Sequence, residues 1–339
     1  MFEKALMLGL YSVTPMHAGS GAELRVIDLP IQRERHTGFP VIWGQSLKGV
    51  LRSYFRRLEL GEKVEDNKTL REKLEENLKE LERKIKETNN EEQRKELERK
   101  KSEIINKLQS PPKTTVIFGP LTERAHEHAG AVSVGDAKIL LFPVRSLKGV
   151  FAYVTCPIVL ERFKRDLDLV GMNNEFAIPS LNPEEAVVSE NTALKVNKKI
   201  IVEDLALTAK KQNISEIVKA ISKISPVSID ENRIAIVHDD VFSMIVRMTT
   251  EIVARVRISA ETGTVETGAL WYEEYLPSDA LMYSVIAIAE PRGKINDLSS
   301  ANDIAEEFKQ FNGRFVQVGG NETIGKGFVK LKVIDDENS

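Results

Sequence analysis

Phe39-Pro-Val-Ile-Trp-Gly-Gln-Ser-Leu-Lys-Gly-Val-Leu-Arg-Ser-Tyr-Phe-Arg-Arg-Leu58 changes its period halfway along, and that change points to the fold class. Phe39–Trp43 is an apolar run of strand type, and Gly44 ends it. In Gln45–Leu60, residues Leu47, Leu51, Tyr54, Phe55 and Leu58 recur at three- and four-residue spacing, the buried stripe of a helix with Ser46 suited to its N-cap. Further strands are expected at Ala5–Thr14, Lys138–Phe142, Val150–Thr155, Ile252–Ile258, Leu281–Ala287, Arg314–Val318 and Phe328–Ile334. Helices are expected at Ile158–Leu169, Ile214–Ile224, Asp240–Met248 and Ala301–Phe311. Strands and short helices mix without strict alternation, which predicts an α+β fold with helices on one face of an antiparallel sheet. Residues 175–245, with Pro179, Pro183 and Pro226 among short apolar runs, read as an excursion from that sheet.

The 339 residues suffice for two ordinary domains, or for one with large insertions. Apolar residues make up 42% and are spread along the chain, which excludes a disordered protein. No run approaches the roughly 18 apolar residues of a membrane span, and the alternating start reads as a strand, not a signal peptide. A single cysteine, Cys156, excludes an internal disulfide framework, so a cytoplasmic location is expected. Residues 61–109 hold 14 acidic and 14 basic residues. Within them Leu70, Leu74, Leu78, Leu81 and Ile85 form one thin stripe, and Leu97, Ile104, Ile105 and Leu108 a second, around the turn Thr88-Asn-Asn90. This predicts an antiparallel helical hairpin, either a solvated appendage or a partner-binding arm.

The net charge is −3, yet the first sixty residues carry eight basic against five acidic side chains. Lys48, Arg52 and Arg56 fall on one face of the expected helix, and a helix start favours phosphate, so a nucleic-acid backbone could follow this stripe. The plainer reading is a solvated face. Gly320-x4-Gly325-Lys326 begins like a phosphate-gripping loop, but Gly327 replaces the metal-binding Ser or Thr, and a strand pattern follows where a helix is required. A nucleotide hydrolase is therefore disfavoured, while backbone N–H groups of a glycine loop can still approach a ligand closely. The polar loop Pro15–His36 holds His17, Asp28 and Arg33; an aspartate beside a scissile phosphate can bind a metal or accept the 2′-hydroxyl proton. Glu261–Pro277 reads as a hairpin whose Trp271, Tyr272 and Tyr275 either stack on bases or pack in the core. The pentapeptide Ser46-Leu-Lys-Gly-Val50 recurs as Ser146-Leu-Lys-Gly-Val150.

The blocks Ile27–Arg52, Ile117–Gly119, Val132–Ile139, Phe142–Gly149, Gly263–Gly268, Leu270–Tyr275 and Gly319–Val329 resemble, in order, the RAMP superfamily of CRISPR proteins. Within it they are most similar to the repeated backbone subunit of type III-B (Cmr) RNA-guided RNA-cleaving complexes. The resemblance implies a single RAMP domain over 1–339, with a ferredoxin-like (RRM-like) palm, helical fingers and a thumb, the thumb falling in 175–245 and the 61–109 hairpin as an insertion. It implies filament assembly with copies of itself on a CRISPR guide RNA, other Cmr subunits as partners, no membrane, and cleavage of complementary single-stranded target RNA at regular intervals with a divalent metal (Mg²⁺ or Mn²⁺). The catalytic acid would be Asp28, also the one possible metal ligand, with His17, Glu273 and Tyr275 near the cut. The implied RNA contacts are Arg33, Gly44, Gln45, Ser46, Lys48, Arg52 and Arg56, together with Gly319, Gly320, Asn321, Gly325 and Lys326. The alternative is a scaffold that binds guide RNA without cutting.

Overall fold

The computed structural model describes residues 2–21, 27–64, 67–293, 295 and 298–335; residues 22–26 of the polar loop lie outside the described residues. The strands are β1 (Lys4–Ser12), β2 (Val41–Ile42), β3 (Val132–Val134), β4 (Ala137–Arg145), β5 (Phe151–Thr155), β6 (Glu185–Val188), β7 (Lys195–Val196) and β8 (Lys199–Val202). They continue with β9 (Leu205–Lys211), β10 (Ile234–Val237), β11 (Glu251–Ile258), β12 (Val265–Tyr275), β13 (Leu281–Ile288), β14 (Phe315–Gln317) and β15 (Phe328–Ile334). The helices are α1 (Gly44–Gly61), α2 (Leu70–Glu87), α3 (Glu91–Gln109), α4 (Pro112–Phe118), α5 (Pro157–Leu169), α6 (Ser215–Ile224), α7 (Asp239–Met248) and α8 (Ala301–Phe308).

The chain divides into two units. The larger holds Ala5–Leu47, Val134–Ala287 and Phe308–Ser339. Its main sheet runs β14-β15-β1-β13-β4-β5-β10-β6-β9-β8-β7. One stretch reads β15-β1-β13-β4, and the corresponding chain order is β1-α1-β4-β13-α8-β15. This is the β-α-β-β-α-β order of a ferredoxin-like fold. β1 pairs antiparallel with β15, and β13 with β4. Two parallel ladders, β10 with β5 and β6 with β9, depart from the antiparallel expectation.

Residues 175–245 do not leave the sheet. Their strands β6 to β10 form its second half, because Ala186–Val188, Ile200, Val202 and Ile234–Val237 are all buried. The thumb expected there is not found at that place. The two-stranded sheet separate from the main one is β11–β12, where the hairpin was read, and Ile252, Val256, Ile258, Val265 and Leu270 on it are exposed.

The smaller unit holds Met1–Lys4, Lys48–Ser133 and Ile288–Glu307. Within it α2 and α3 form the expected hairpin. Thr69 and Glu72 make a capping box at the start of α2, Lys101 reaches Glu82 across the pair at 2.8 Å, and Leu74 is the buried residue of the seam. Glu59, buried, accepts from the backbone N–H of Lys113 and Thr114 and from the Thr114 hydroxyl, and so closes the start of α4. No helix of the described residues is long and apolar enough to cross a membrane.

Candidate active site where the N-terminal loop meets β12

β11 covers one edge of β12, and the polar N-terminal loop closes the other. Leu29 N–H donates to Tyr272 O (3.1 Å), Glu274 N–H donates to Leu29 O (3.0 Å), and Met16 and Leu276 exchange both backbone bonds at 2.9 Å. Two side chains join this row. Asp28 Oδ2 accepts from Tyr272 N–H at 2.7 Å, and His17 Nδ1 lies 2.7 Å from Glu274 O. Their anchors are two residues apart, about 7 Å of strand.

The bond fixes the His17 tautomer. A carbonyl oxygen only accepts, so Nδ1 carries a proton, and in the neutral ring the lone pair is on Nε2. Two glycines pack close to this residue: a Cβ on Gly19 would stand 2.8 Å from Nε2, and one on Gly319 would stand 2.2 Å from His17 O. Gly320 N–H donates to His17 O at 2.9 Å, which holds the glycine loop against the imidazole's own backbone.

Alternation along β12 sends Glu273 and Tyr275 to one face and Glu274 to the other. Glu273 is 4% exposed; its Oε1 accepts from Trp271 Nε1 (2.8 Å), and its Oε2 from Tyr275 OH and from Asn321 Nδ2 (2.9 Å), with Arg255 at 3.6 Å. Burial alone would raise its pKa, but the bonds from Tyr275 and Trp271, the Arg255 charge and the Asn321 amide outweigh it and hold the carboxyl below its ordinary value. Burial, then the bond to Glu273, pushes the Tyr275 phenol up to about 12, so it stays protonated. Lys326 Nζ lies 4.9 Å from the Tyr275 ring centre, and the His17 ring 5.6 Å from it. Asn321, in left-handed backbone, also donates to Tyr275 OH at 2.9 Å. His17, Asp28, Glu273, Tyr275, Gly319, Gly320, Asn321 and Lys326 are thus brought together. Gly325, left-handed as well, ends the short helical turn of the same loop. A strand follows that loop, as its sequence required.

On the opposite face, buried Glu274 accepts from Ile31 N–H (3.0 Å), Thr250 Oγ1 (2.7 Å) and Arg33 (2.5 Å). Arg33 also donates to Gly38 O and Val246 O, both at 2.9 Å. Its guanidinium is therefore engaged as an internal clamp on the Asp28 loop.

The helix start is also already occupied. α1 begins at Gly44, so Ser46 lies inside the first turn instead of capping it, next to Gln45. Gly44 N–H donates to Asp136 Oδ1 at 2.7 Å, so a carboxylate stands where phosphate was expected. The basic stripe is not a free rail. Lys48 donates to Val132 O, Arg52 to Gly119 O and Ser110 Oγ, and Arg56 to Leu108 O. Burial, reinforced by neighbouring Arg52, lowers the Lys48 pKa.

Among the described residues, no group of three or more His, Cys, Asp or Glu side chains could hold a metal ion. The oxygens of Glu273 and Glu274 are committed to donors, which leaves the second Asp28 oxygen and His17 Nε2. Magnesium commonly takes one or two carboxylates plus substrate phosphate oxygens, so Asp28 fits a cation whose remaining ligands come from RNA and water. Sequence reading missed Gly19, Arg255 and Glu274 as parts of the site; the one signal available was the acidic pair Glu273-Glu274 in the hairpin.

Residues 10–330 match the RAMP superfamily, and the chain belongs to that family. It is 50% identical, over 99% of its own length and 98% of the other's, to the Pyrococcus furiosus protein named CRISPR system Cmr endoribonuclease Cmr4. The crystal structure of oligomeric Cmr4 from Pyrococcus furiosus superposes with TM-score 0.65 at 42% identity, covering 98% of each chain. A chain in a cryo-EM structure of type III-B Cmr-beta bound to cognate target RNA shares the fold, with TM-score 0.67 at 21% identity and 98% coverage of each.

Proposed function

We propose that this chain is the RNA-cleaving backbone subunit of a type III-B (Cmr) CRISPR effector. It assembles in the cytoplasm with copies of itself and other Cmr subunits on a guide RNA and cuts complementary single-stranded RNA. The observation that carries the reading is the β12 edge, which lines up a carboxylate with one oxygen uncommitted among the described residues and an imidazole anchored through Nδ1, with only glycine beside its Nε2. The 50% identity to a named Cmr endoribonuclease supports it.

In this reading His17 Nε2 accepts the 2′-hydroxyl proton while the 2′-oxygen attacks the adjacent phosphorus in line. The P–O5′ bond breaks, the leaving 5′-oxygen takes a proton from water, and a 2′,3′-cyclic phosphate remains. Asp28, held by Tyr272 N–H, would hold a divalent cation through its other oxygen, and the cation would supply charge neutralisation at the phosphate. Tyr275, protonated and fixed by Glu273 and Asn321, gives the site a rigid wall.

The test is target cleavage by the reconstituted complex. Asp28→Ala should abolish cutting and spare guide binding, and wild-type products should carry 2′,3′-cyclic phosphate ends. Full cleavage by Asp28→Ala would sink the assignment. A wild-type complex that protects target RNA in Mg²⁺ or Mn²⁺ without cutting would leave the scaffold reading.

A further inference from the structure

At the β14–β15 end of the main sheet, Lys223, Lys309, Lys330 and Lys332 line a cavity of about 670 Å³ with no acidic side chain in its lining among the described residues. In a chain of net charge −3, four ammonium groups on one concavity are a local reversal of sign. Buried Asp335 stands beside it, with its Oδ2 3.8 Å from Lys309 Nζ. Lys223, in the last turn of α6, is accounted for by the helix C-terminus. Lys332 Nζ donates to Ser222 O of the same helix end at 3.3 Å, which leaves Lys330 without such an account. A lysine on a strand often guards an unpaired edge. Here β14 pairs β15 from Phe328 to Lys330, and beyond it Leu331 N–H meets Arg314 O and Val333 N–H meets Asn312 Oδ1, so that edge is closed.

The same face carries aromatic rings. Phe315 stands opposite Lys330 and Gln317 opposite Phe328, which puts Phe315, Phe328, Lys330 and Lys332 on one side of the sheet. Phe315 is 56% exposed and Phe328 40%. Lys330 Nζ lies 5.9 Å from the Phe315 ring centre. α6 covers the neighbouring part of this face, where Gly9 permits the approach: a Cβ there would stand 1.8 Å from Ile224 O. Lys332 is half-buried beside α6, and burial lowers its pKa, which an anionic neighbour would offset.

Solvent-facing rings next to clustered ammonium groups match a single strand with stacking bases and a phosphate backbone. A duplex keeps its base faces covered. We propose that the β14–β15 face and its lysine cavity form a second single-stranded RNA contact, separate from the β12 edge. It does not depend on the cleavage reading.

The test is fluorescence anisotropy of labelled oligouridine on the purified chain across a KCl series. Lys330→Ala/Lys332→Ala should flatten the slope of log affinity against log salt by about 1.4, since each single-strand phosphate contact contributes about 0.7. Phe315→Ala, a change at an exposed site, should weaken binding about tenfold without changing the slope. Asp28→Ala should leave both unchanged while target cleavage in the complex is lost, which separates this proposal from the catalytic one. An unchanged slope in the double variant, or unchanged affinity in Phe315→Ala, overturns it. So does polyglutamate binding that the double variant loses while oligouridine binding persists, because the face would then accept acidic polypeptide.

Discussion

Replacing Arg33 by Met keeps the aliphatic stem and removes the charge, so it separates the clamp from an RNA contact. Arg33 pairs with Glu274, whose side chain is 3% exposed, at 2.5 Å and donates to two carbonyls. Breaking a buried ion pair on one side costs about 3–5 kcal/mol, because the other charge is stranded. Glu274 keeps Ile31 N–H and the Thr250 hydroxyl, and Arg33 is 21% exposed, so the lower end, about 3 kcal/mol, is expected. The carboxylate also anchors the Asp28 loop, so target cleavage should fall with it while the salt dependence of guide binding stays at the wild-type value. Replacing both partners by Met should recover part of the stability, since an apolar pair needs no compensation, and the double-mutant cycle should show strong coupling. The assays are denaturant unfolding of all four proteins and guide-RNA titration over a salt series. Unchanged stability with a salt slope smaller by about 0.7 would show that Arg33 faces phosphate and would refute the clamp.

Gly19→Ala should lower single-turnover target cleavage about a hundredfold with guide affinity unchanged, because its Cβ would stand 2.8 Å from His17 Nε2; wild-type cleavage would remove His17 from the chemistry. Glu273, with its pKa depressed, contributes stability that is present above the ordinary carboxylate range and lost as pH falls through its lowered value. The stability gap between wild type and Glu273→Gln should therefore shrink on acidification, and a constant gap in unfolding measurements from pH 7 to 3 would contradict this. Glu59, with its pKa raised by burial, has the opposite sign: its stability is present below the ordinary value and lost as pH rises through the raised one. The gap between wild type and Glu59→Gln should widen on acidification in the same experiment, and a narrowing gap would count against the burial argument.

Where pattern and environment agree, the fold was legible. Phe328–Ile334 shows strand alternation, buried at Val329, Leu331 and Val333, and the observed strand has those bounds. The stripe Leu47, Leu51 and Phe55 is almost fully buried in α1 for the same reason. Charge was legible as type but not as direction. Lys48, Arg52 and Arg56 do share a helix face, yet what their tips meet is set by carbonyls 52 to 84 residues away in sequence. The carboxylate that fills the start of α1 lies 92 residues along the chain. The second half of the sheet was missed because its strands are short and interrupted, and two of its ladders are parallel, so neither length nor alternation marks them.

The repeated pentapeptide shows how far local sequence can decide structure. Ser46–Val50 is helical, whereas Ser146–Val150 is the turn joining β4 to β5. In the turn Gly149 and Val150 both have positive φ, 82° and 73°, and Val150 is 81% exposed. A β-branched residue in that region is strained, so the pentapeptide does not select the turn by preference. The surroundings impose it: the four-residue pairing from Phe142 to Arg145 with Phe151 to Val154 on one side, and the Arg233 guanidinium on Gly149 O on the other. In α1 the Leu and Val positions of the same five residues continue an apolar stripe through Leu51 and Phe55. After residue 145 the same spacing recurs in Leu147, Val150, Phe151 and Val154, but Phe151–Val154 is taken up by the ladder with β4, so the pairing and not the apolar stripe decides the local structure.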